Sequence, residues 1–397
     1  MAEFNLKKVQ DILTNMNFDA WLFYDFRGSN ELAHQILNIN PDAHLTRRLF
    51  YFVPGKGNPV KILNGIEAFH LDHLPGDKLV YTSHTSLQDQ LASVLSKVKI
   101  VAMEYSPMNA IPYVSKVDAG MFEYLKTFGI EIKSSGDLIS MFGAKWTKEQ
   151  FEENKIAAQA LYEIVDLSFG LIKSEITSNK ILNEYDVQKF ILEEFKKRNM
   201  VTDSDPIVAV NENSANPHYE PNKTIHKEIK RGDLVLIDLW AKMNTPLATM
   251  ADITWTGLVD KSVPEKYVKI FKIVADARDT AFQLVEKRFS EGRELRGYEV
   301  DNAARKVITD AGYGQFFIHR TGHSITTETH GSGAHMDNFE TKDERLLLPS
   351  TSFSIEPGIY LPGDFGIRSE IDVYISPESK VICTGGERQK EIIPILT

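Results

Sequence analysis

The stretch "HRTGHSITTETH", residues 319–330, holds three of the eleven histidines of this 397-residue chain. His319 and His323 are four residues apart, but Gly322 and the β-branched residues of "SITTET" predict turn and strand rather than helix. In one regular strand His323 and His330 would face opposite sides, because their spacing is an odd number of residues. The two imidazoles can therefore reach one site only if the chain bends between them. A zincin helix is excluded, because the sequence contains no HExxH.

Composition narrows the class of protein. The chain is 42% hydrophobic and 25% charged, which is ordinary for a globular protein, and its length predicts two domains. A net charge of −10 without a basic block argues against nucleic acid or an anionic membrane as a partner. The single cysteine, Cys383, excludes an intramolecular disulfide and a CxxC zinc site. Residues 1–18 lack the apolar core of a signal peptide, so we expect a soluble, cytoplasmic protein without a transmembrane helix.

The first part of the chain alternates short apolar runs with amphipathic segments, which predicts an α/β domain. We expect strands at 20–26, 47–54 and 98–105, and helices at 6–16 and 86–98. Near residue 145 the pattern changes, because Thr147 and Gln150 form a T-x-x-Q capping box ahead of a long helical repeat. We place the domain boundary just before this helix, which gives domains 1–143 and 144–397.

The sequence of the second domain predicts the order helix, helix, strands, and this order occurs twice. The predicted helices cover 147–172, 183–198, 264–289 and 297–312, and the predicted strands cover 206–210, 233–241, 251–259, 352–360 and 368–375. Such a pattern favours a pseudo-symmetric α+β domain with a cleft between its two halves.

Four acidic residues lie in or beside these apolar strands: Asp238 in "VLIDLWA", Asp252 in "MADITWT", Glu356 in "FSIEPGIY" and Glu370 in "IRSEIDVYI". A single such carboxylate is most simply explained by an outward-facing position. Four of them from both halves, together with His323, indicate instead a site for two divalent cations, since buried carboxylates must be paired or hold a cation. Oxygen-rich ligation with one nitrogen favours Mn²⁺, Co²⁺, Fe²⁺ or Zn²⁺.

The order Asp, Asp, His, Glu, Glu with these flanks resembles the pita-bread metallopeptidases, in particular the branch of Xaa-Pro aminopeptidase and prolidase. The resemblance rests on "IDLWA", "ADITWT", "HRTGHSITTETH", "SIEPGIY" and "GIRSEIDV", and the layout of the whole chain is similar to members with a creatinase-like N-terminal domain. It implies an exopeptidase with two divalent ions, Mn²⁺ foremost, that hydrolyses the N-terminal Xaa-Pro bond of a short peptide. It also implies a homodimer formed through the N-terminal domain.

The resemblance further implies a role for each metal ligand. Asp238 would chelate one ion, while His323 and Glu356 would hold the other. Asp252 and Glu370 would bridge the pair, and Glu356 would also accept or pass on a proton.

Four further residues match positions around the metal ligands and the substrate in this family. His330 would donate a hydrogen bond to the oxyanion of the reacting carbonyl. His218, in "NPHYEP", and His319 match histidines that face the substrate. Arg368, two residues before Glu370, would clamp the ligand carboxylates, although an ordinary exposed strand position explains its presence equally well.

Other functions fit parts of this pattern. A creatinase-type amidinohydrolase and an interaction module share the fold but need no metal, whereas all five ligand types are present here. A dinuclear phosphoesterase would favour a basic or Gly-rich phosphate cradle, which the sequence lacks. Gly331 stands where relatives usually carry an acidic residue, and the spacing from Asp238 to Asp252 is longer than usual. Both departures leave room for a different substrate preference.

Overall fold

The computed structural model describes residues 4–40 and 42–397, and it divides into two compact units, Met1–Gly143 and Ala144–Thr397. The helices of the first unit are α1 (Leu6–Asn15), α2 (Glu31–Leu37), α3 (His84–Leu95), α4 (Ala119–Lys126) and α5 (Gly136–Gly143). Its strands are β1 (Ala20–Phe26), β2 (Arg48–Pro54), β3 (Val60–Asn64), β4 (Asp77–Tyr81), β5 (Ile100–Met103) and β6 (Glu131–Ser134).

These strands form one mixed sheet in the order β4-β3-β2-β1-β5-β6. Central strand β1 runs antiparallel to β2 and parallel to β5. Because successive side chains of a strand point to opposite faces, Trp21 and Phe23 enter one apolar cluster while Leu22 and Tyr24 enter another. Helices cover both faces, which confirms the predicted α/β fold of this unit, and the strand predicted at 20–26 forms with those bounds.

The second unit contains long helices and short strands. The helices are α6 (Lys148–Thr177), α7 (Glu184–Lys197), α8 (Glu265–Ser290) and α9 (Gly297–Asp310). The strands are β7 (Met200–Val201), β8 (Ile207–Val210), β9 (Leu234–Met243), β10 (Ala251–Leu258), β11 (Ser324–Ile325), β12 (Ser352–Ile355), β13 (Gly358–Leu361), β14 (Phe365–Arg368), β15 (Ile371–Ile375), β16 (Val381–Cys383) and β17 (Ile393–Pro394).

Two halves of the second unit repeat the same arrangement. Helices α6 and α7 share an apolar cluster with strands β8, β9 and β10, whereas α8 and α9 share another with strands β12 to β15. The predicted capping box is present, since Thr147 and Gln150 each bond the other's backbone N–H at the start of α6. The order helix, helix, strands therefore occurs twice, which confirms the pseudo-symmetric α+β fold. No helix of the described residues is long and apolar enough to span a membrane.

The prediction of continuous strands at 352–360 and 368–375 was wrong. The first breaks at Glu356 and Pro357 into β12, which pairs with β15, and β13, which pairs with β14 in a different sheet. Pro357 has no N–H and so cannot continue a ladder. The second prediction breaks at Ser369 and Glu370, between β14 and β15. As a result, Glu356 and Glu370 lie at corners between sheets, where a side chain can point into the interior of the domain.

Candidate metal centre

The histidine stretch bends as the sequence predicts. Strand β11 is only two residues long, and the chain then turns back so that the N–H of Gly331 donates to the carbonyl of Ser324 at 2.7 Å. This turn brings the rings of His323 and His330 edge to face, with centroids 4.5 Å apart. A Cβ on Gly331 would lie 2.5 Å from Cγ2 of Thr326, so the absence of a side chain at this position has a steric cause.

His323 is held in one orientation and one tautomer. The chain passes so close to β12 that a Cβ on Gly322 would lie 2.0 Å from the carbonyl oxygen of Ser354. The backbone N–H of His323 donates to Oγ of Ser354 at 3.0 Å. The ring nitrogen Nδ1 of His323 lies 3.3 Å from the carbonyl oxygen of Ser324. A carbonyl only accepts hydrogen bonds, so Nδ1 carries the proton and Nε2 presents a lone pair.

That lone pair faces carboxylates. Nε2 of His323 lies 3.3 Å from Oε1 of Glu356 and 3.6 Å from Oδ2 of Asp252. Asp252, His323 and Glu370 each offer a ligand atom, and the three atoms lie within 4.8 Å of one another. All three side chains are buried, with Asp252 on β10 and Glu370 directly before β15. Asp252 from the first half of the domain thus lies beside His323, Glu356 and Glu370 from the second.

Thr254, which the sequence analysis missed, connects three of the predicted residues. Its Oγ1 lies 3.0 Å from Oδ1 of Asp238 and 2.7 Å from Oε2 of Glu370, and it accepts a hydrogen bond from Nε of Arg368 at 2.9 Å. Thr254 stands two residues after Asp252 and so lies on the same face of β10. This two-residue spacing from Asp252 is the feature of the sequence that could have identified Thr254. Arg368 also donates through Nη2 to Asp238, so its buried side chain contacts the ligand set rather than solvent.

Asp372 is a second residue that the sequence analysis missed. Its Oδ2 accepts the backbone N–H of Asp252 at 2.7 Å, and it stands two residues after Glu370 on β15. Burial, followed by repulsion from Asp252, raises the pKa of Asp372 well above its ordinary value. It therefore adds another buried acid behind the predicted ligands.

The donor set fits divalent cations. Oδ1 of Asp252 is buried and has no hydrogen-bond partner among the described residues. Burial, and then repulsion between carboxylates, raises the pKa of Asp252 and of Glu370 well above the usual range. Burial lowers the pKa of His323, which favours the neutral imidazole whose Nε2 lies beside the carboxyl oxygens of Glu356 and Asp252. A cation between these atoms would relieve all of these costs at once. Asp238, whose charge contributes to the repulsion at Asp252, also pairs with Arg368.

A cavity of about 340 Å³ opens onto this cluster. Its wall contains the five predicted ligands, the predicted residues His218, His319, His330 and Arg368, and also Asp203, Ser204, Ile207, Pro217, Trp240, Arg320, Thr329 and Glu340. His218 is exposed, in the loop after β8. Burial first, and then the neighbouring His323, lowers the pKa of His330 to about 4. At neutral pH His330 is therefore an uncharged imidazole with one N–H to donate.

Both ring nitrogens of His319 are engaged within the protein. Nδ1 lies 2.7 Å from the carbonyl oxygen of Arg320, so it carries the proton, and Nε2 accepts from the hydroxyl of Tyr360 at 2.8 Å. Arg368 donates to the same hydroxyl through Nη1 at 3.1 Å. Burial lowers the pKa of His319 to about 4. His319 thus ends a chain that begins at Asp238 and runs through Arg368 and Tyr360, the latter also missed by the sequence analysis.

Comparisons with known proteins agree with this architecture. A relative from Mycoplasma genitalium is 32% identical over 226 residues, which are 56% of this chain and only 59% of that protein. The Xaa-Pro dipeptidase of Pyrococcus furiosus is 33% identical over 261 residues, covering 65% of this chain and 68% of the relative. The crystal structure of a prolidase from Thermococcus sibiricus covers 99% of this chain and 100% of its own, with a TM-score of 0.62 at 24% identity. This structural likeness confirms the pita-bread fold.

The family assignment rests on the part of the chain that carries the cluster. Residues 152–377 match the model of metallopeptidase family M24, and this range contains all five predicted ligands as well as Thr254 and Asp372. It covers more than half of the chain. We therefore conclude that this chain belongs to metallopeptidase family M24, in the branch that contains the Xaa-Pro peptidases.

Proposed function

We propose that this protein is an exopeptidase that uses two divalent ions, Mn²⁺ foremost, to hydrolyse the bond between an N-terminal residue and proline. The observation that carries the proposal is the buried group of Asp252, His323 and Glu370, whose ligand atoms lie within 4.8 Å at the base of an open cavity. Asp238 and Glu356, which border the same cavity, complete the ligand set. For Asp238 this requires that a cation compete with Arg368 for its carboxylate.

Divalent ions in such a site lower the pKa of water and polarise a carbonyl group. The side chains of this protein supply the rest. Glu356 would take a proton from the attacking water, a role supported by its position on the cavity wall and its lower burial than the other ligands. His330, neutral and at the cavity wall, donates its N–H to the developing oxyanion.

The leaving nitrogen must gain a proton, and the geometry favours His218 for this task over His319. His218 is exposed at the cavity wall, whereas both nitrogens of His319 are already hydrogen-bonded. The nitrogen of an Xaa-Pro bond carries no hydrogen, so an active site that must accept a hydrogen bond from this nitrogen binds such a substrate poorly. Glu356 and His330 act on the carbonyl side and His218 donates to the nitrogen, so none of the three needs an N–H from the scissile bond.

The test compares kcat/KM for Ala-Pro and Ala-Ala substrates, as dipeptides and as tripeptides, after EDTA treatment and after addition of Mn²⁺. We expect activity only with metal, a preference for Ala-Pro, and loss of cleavage on N-acetylation. A ratio near or below one overturns the proline preference, and undiminished cleavage of the acetylated peptide overturns the exopeptidase assignment. Elemental analysis should find two ions per chain. The homodimer and the cytoplasmic location stay predictions, which sedimentation and fractionation can test.

A further inference from the structure

Asp203 is an acidic residue of the cavity wall that the proposed reaction does not use. It lies in the loop between β7 and β8 and borders the same cavity as Asp252 and His330. Its side chain is exposed, unlike those of the buried metal ligands around the base. Asp203 is therefore a carboxylate that a bound molecule can reach.

The carboxylate of Asp203 is held in place from two sides. Nε1 of Trp240, on β9, donates to Oδ1 at 2.9 Å, and the hydroxyl of Thr329 donates to Oδ2 at 2.9 Å. Oδ1 also accepts from the hydroxyl of Ser204 at 3.5 Å, and because each carboxylate oxygen accepts up to two hydrogen bonds, Oδ2 keeps accepting capacity after these contacts. Two donors from different parts of the chain thus orient the group without saturating it.

The charge of Asp203 has no basic partner among the residues that the structure describes, since its hydrogen bonds come from Trp240, Thr329 and the nearby hydroxyl of Ser204. A fixed, accessible carboxylate without a counter-charge is a binding point for a cation from outside the chain.

The position of Asp203 indicates which part of a peptide it would meet. Thr329, which holds Asp203, is directly followed by His330, which we assign to the carbonyl oxygen of the scissile bond. That carbonyl belongs to the first residue of the substrate. Asp203 consequently flanks the side of the cavity that receives the first residue, whereas Tyr360 and His319 lie with Arg368 around Asp238.

We propose that Asp203 is a specificity-determining residue that favours substrates with a basic side chain, lysine or arginine, at the first position. This inference rests on the proposed function, which defines where the scissile bond lies. It adds a preference for a basic side chain at the first residue of the substrate. The ligand class is a peptide with a cationic N-terminal side chain.

The experiment measures kcat/KM for Arg-Pro, Ala-Pro and Glu-Pro dipeptides, or for the matching tripeptides ending in Ala, with the Mn²⁺-loaded enzyme. The wild type should prefer Arg over Ala and disfavour Glu. Asp203→Asn, which keeps the size of the side chain, should lower the rate on Arg-Pro roughly tenfold, as for a lost charge-assisted hydrogen bond, and change Ala-Pro little. Asp203→Lys should reverse the order and favour Glu-Pro. The matched control is Asp205→Asn, because Asp205 is an exposed acidic residue nearby that does not line the cavity. This variant should leave all rates unchanged.

A purely structural role for Asp203 predicts equal losses on all substrates, and that result would overturn the proposal. Ala-Pro-Arg completes the panel, and a loss in Asp203→Asn that is confined to this peptide would overturn the proposal as well, because Asp203 would then contact a basic side chain beyond the scissile bond. Calorimetric binding of L-argininamide and L-alaninamide separates this inference from the proposed function, since it needs no turnover. If Ala-Pro is not hydrolysed, the proposed function fails, but tighter binding of L-argininamide to wild type than to Asp203→Asn still supports a cationic subsite. Equal binding refutes it.

Discussion

Oγ1 of Thr254 lies 2.7 Å from Oε2 of Glu370, although 116 residues separate the two along the chain. The same hydroxyl reaches Asp238 and accepts from Arg368, so one small side chain orders ligands from both halves of the domain. A residue that orients metal ligands is expected to affect metal affinity without binding the metal itself.

Thr254→Val should therefore weaken metal binding by roughly 10–100-fold, the usual effect of removing a group that orients ligands. The substitution keeps the shape of the side chain but removes the hydroxyl. Calorimetric titration with Mn²⁺ measures the change. The matched control is Thr249→Val, because the hydroxyl of Thr249 is also buried but has no hydrogen-bond partner among the described residues. Equal affinities for the two variants would contradict the role of Thr254.

Asp252→Asn should abolish metal-dependent activity and, in the metal-free protein, raise the melting temperature. The reason is that Asp252 is a buried acid whose neighbours, Asp238 and Glu356, repel its charge. In wild type, added Mn²⁺ should raise Tm, because a ligand that binds only the folded state stabilises it. The variant should lose that response. Differential scanning calorimetry with and without Mn²⁺ distinguishes these effects, and a variant with near-normal activity would rule out the ligand assignment.

His330→Ala should lower kcat by roughly 10²–10³-fold, as expected for the loss of one oxyanion donor. Its metal content should stay at the wild-type level, because His323 rather than His330 presents a nitrogen to the carboxylates. Steady-state kinetics and elemental analysis of the same preparation provide the check. Loss of metal in this variant would show that the roles of the two histidines are exchanged.

Asp301→Asn tests a positioning residue outside the cavity. Asp301 is fully buried on α9 and accepts the N–H and the hydroxyl of Thr321, while its partner Arg305 donates to the carbonyls of Phe317 and His319. Together they hold the backbone that leads to His323. We expect kcat and metal affinity to fall together, with KM little changed. Lys306→Gln, an exposed neighbour on the same helix, serves as the control, and equal behaviour of the two would contradict the positioning role.

Asp25 makes folding stability depend on pH in the first unit. Burial raises its pKa, but the neighbouring His34, whose Nε2 lies 3.3 Å from Oδ1, and hydrogen bonds from the backbone N–H groups of Asn30 and Gly28 outweigh that effect and lower it overall. A depressed pKa stabilises the fold above the ordinary value of about 4, and the contribution is lost as pH falls through the folded-state value.

Asp25→Asn should therefore lower Tm at pH 7, and the difference from wild type should shrink below pH of about 4. Thermal melts across this range measure it. The exposed Asp89→Asn, for comparison, should show no such trend. A difference between wild type and Asp25→Asn that is constant with pH would mean that the side chain acts through its shape and not through its charge.

The local sequence pattern was enough to predict the main helices and strands and the candidate metal ligands. Hydrophobic periodicity predicted β1 and the long helices, and the capping residues Thr147 and Gln150 marked the start of α6, because propensity, amphipathicity and capping act within a few residues. The ligand candidates were visible for the same reason, since an acidic residue inside an apolar run is conspicuous wherever the strand ends up.

Contacts across the fold could not be read from that pattern. The strand breaks at Glu356 and Glu370 depend on which sheet each segment joins, and the hydroxyl of Thr254 looks like any other threonine in a β-strand until β10 meets the corner before β15. Asp203 is one of several polar loop residues in the sequence, and only its contacts with Trp240 and Thr329 place it beside the cavity. The physical reason is that hydrogen bonds, desolvation and charge repulsion depend on distances of a few ångströms between residues far apart in sequence, and packing of the whole domain sets those distances.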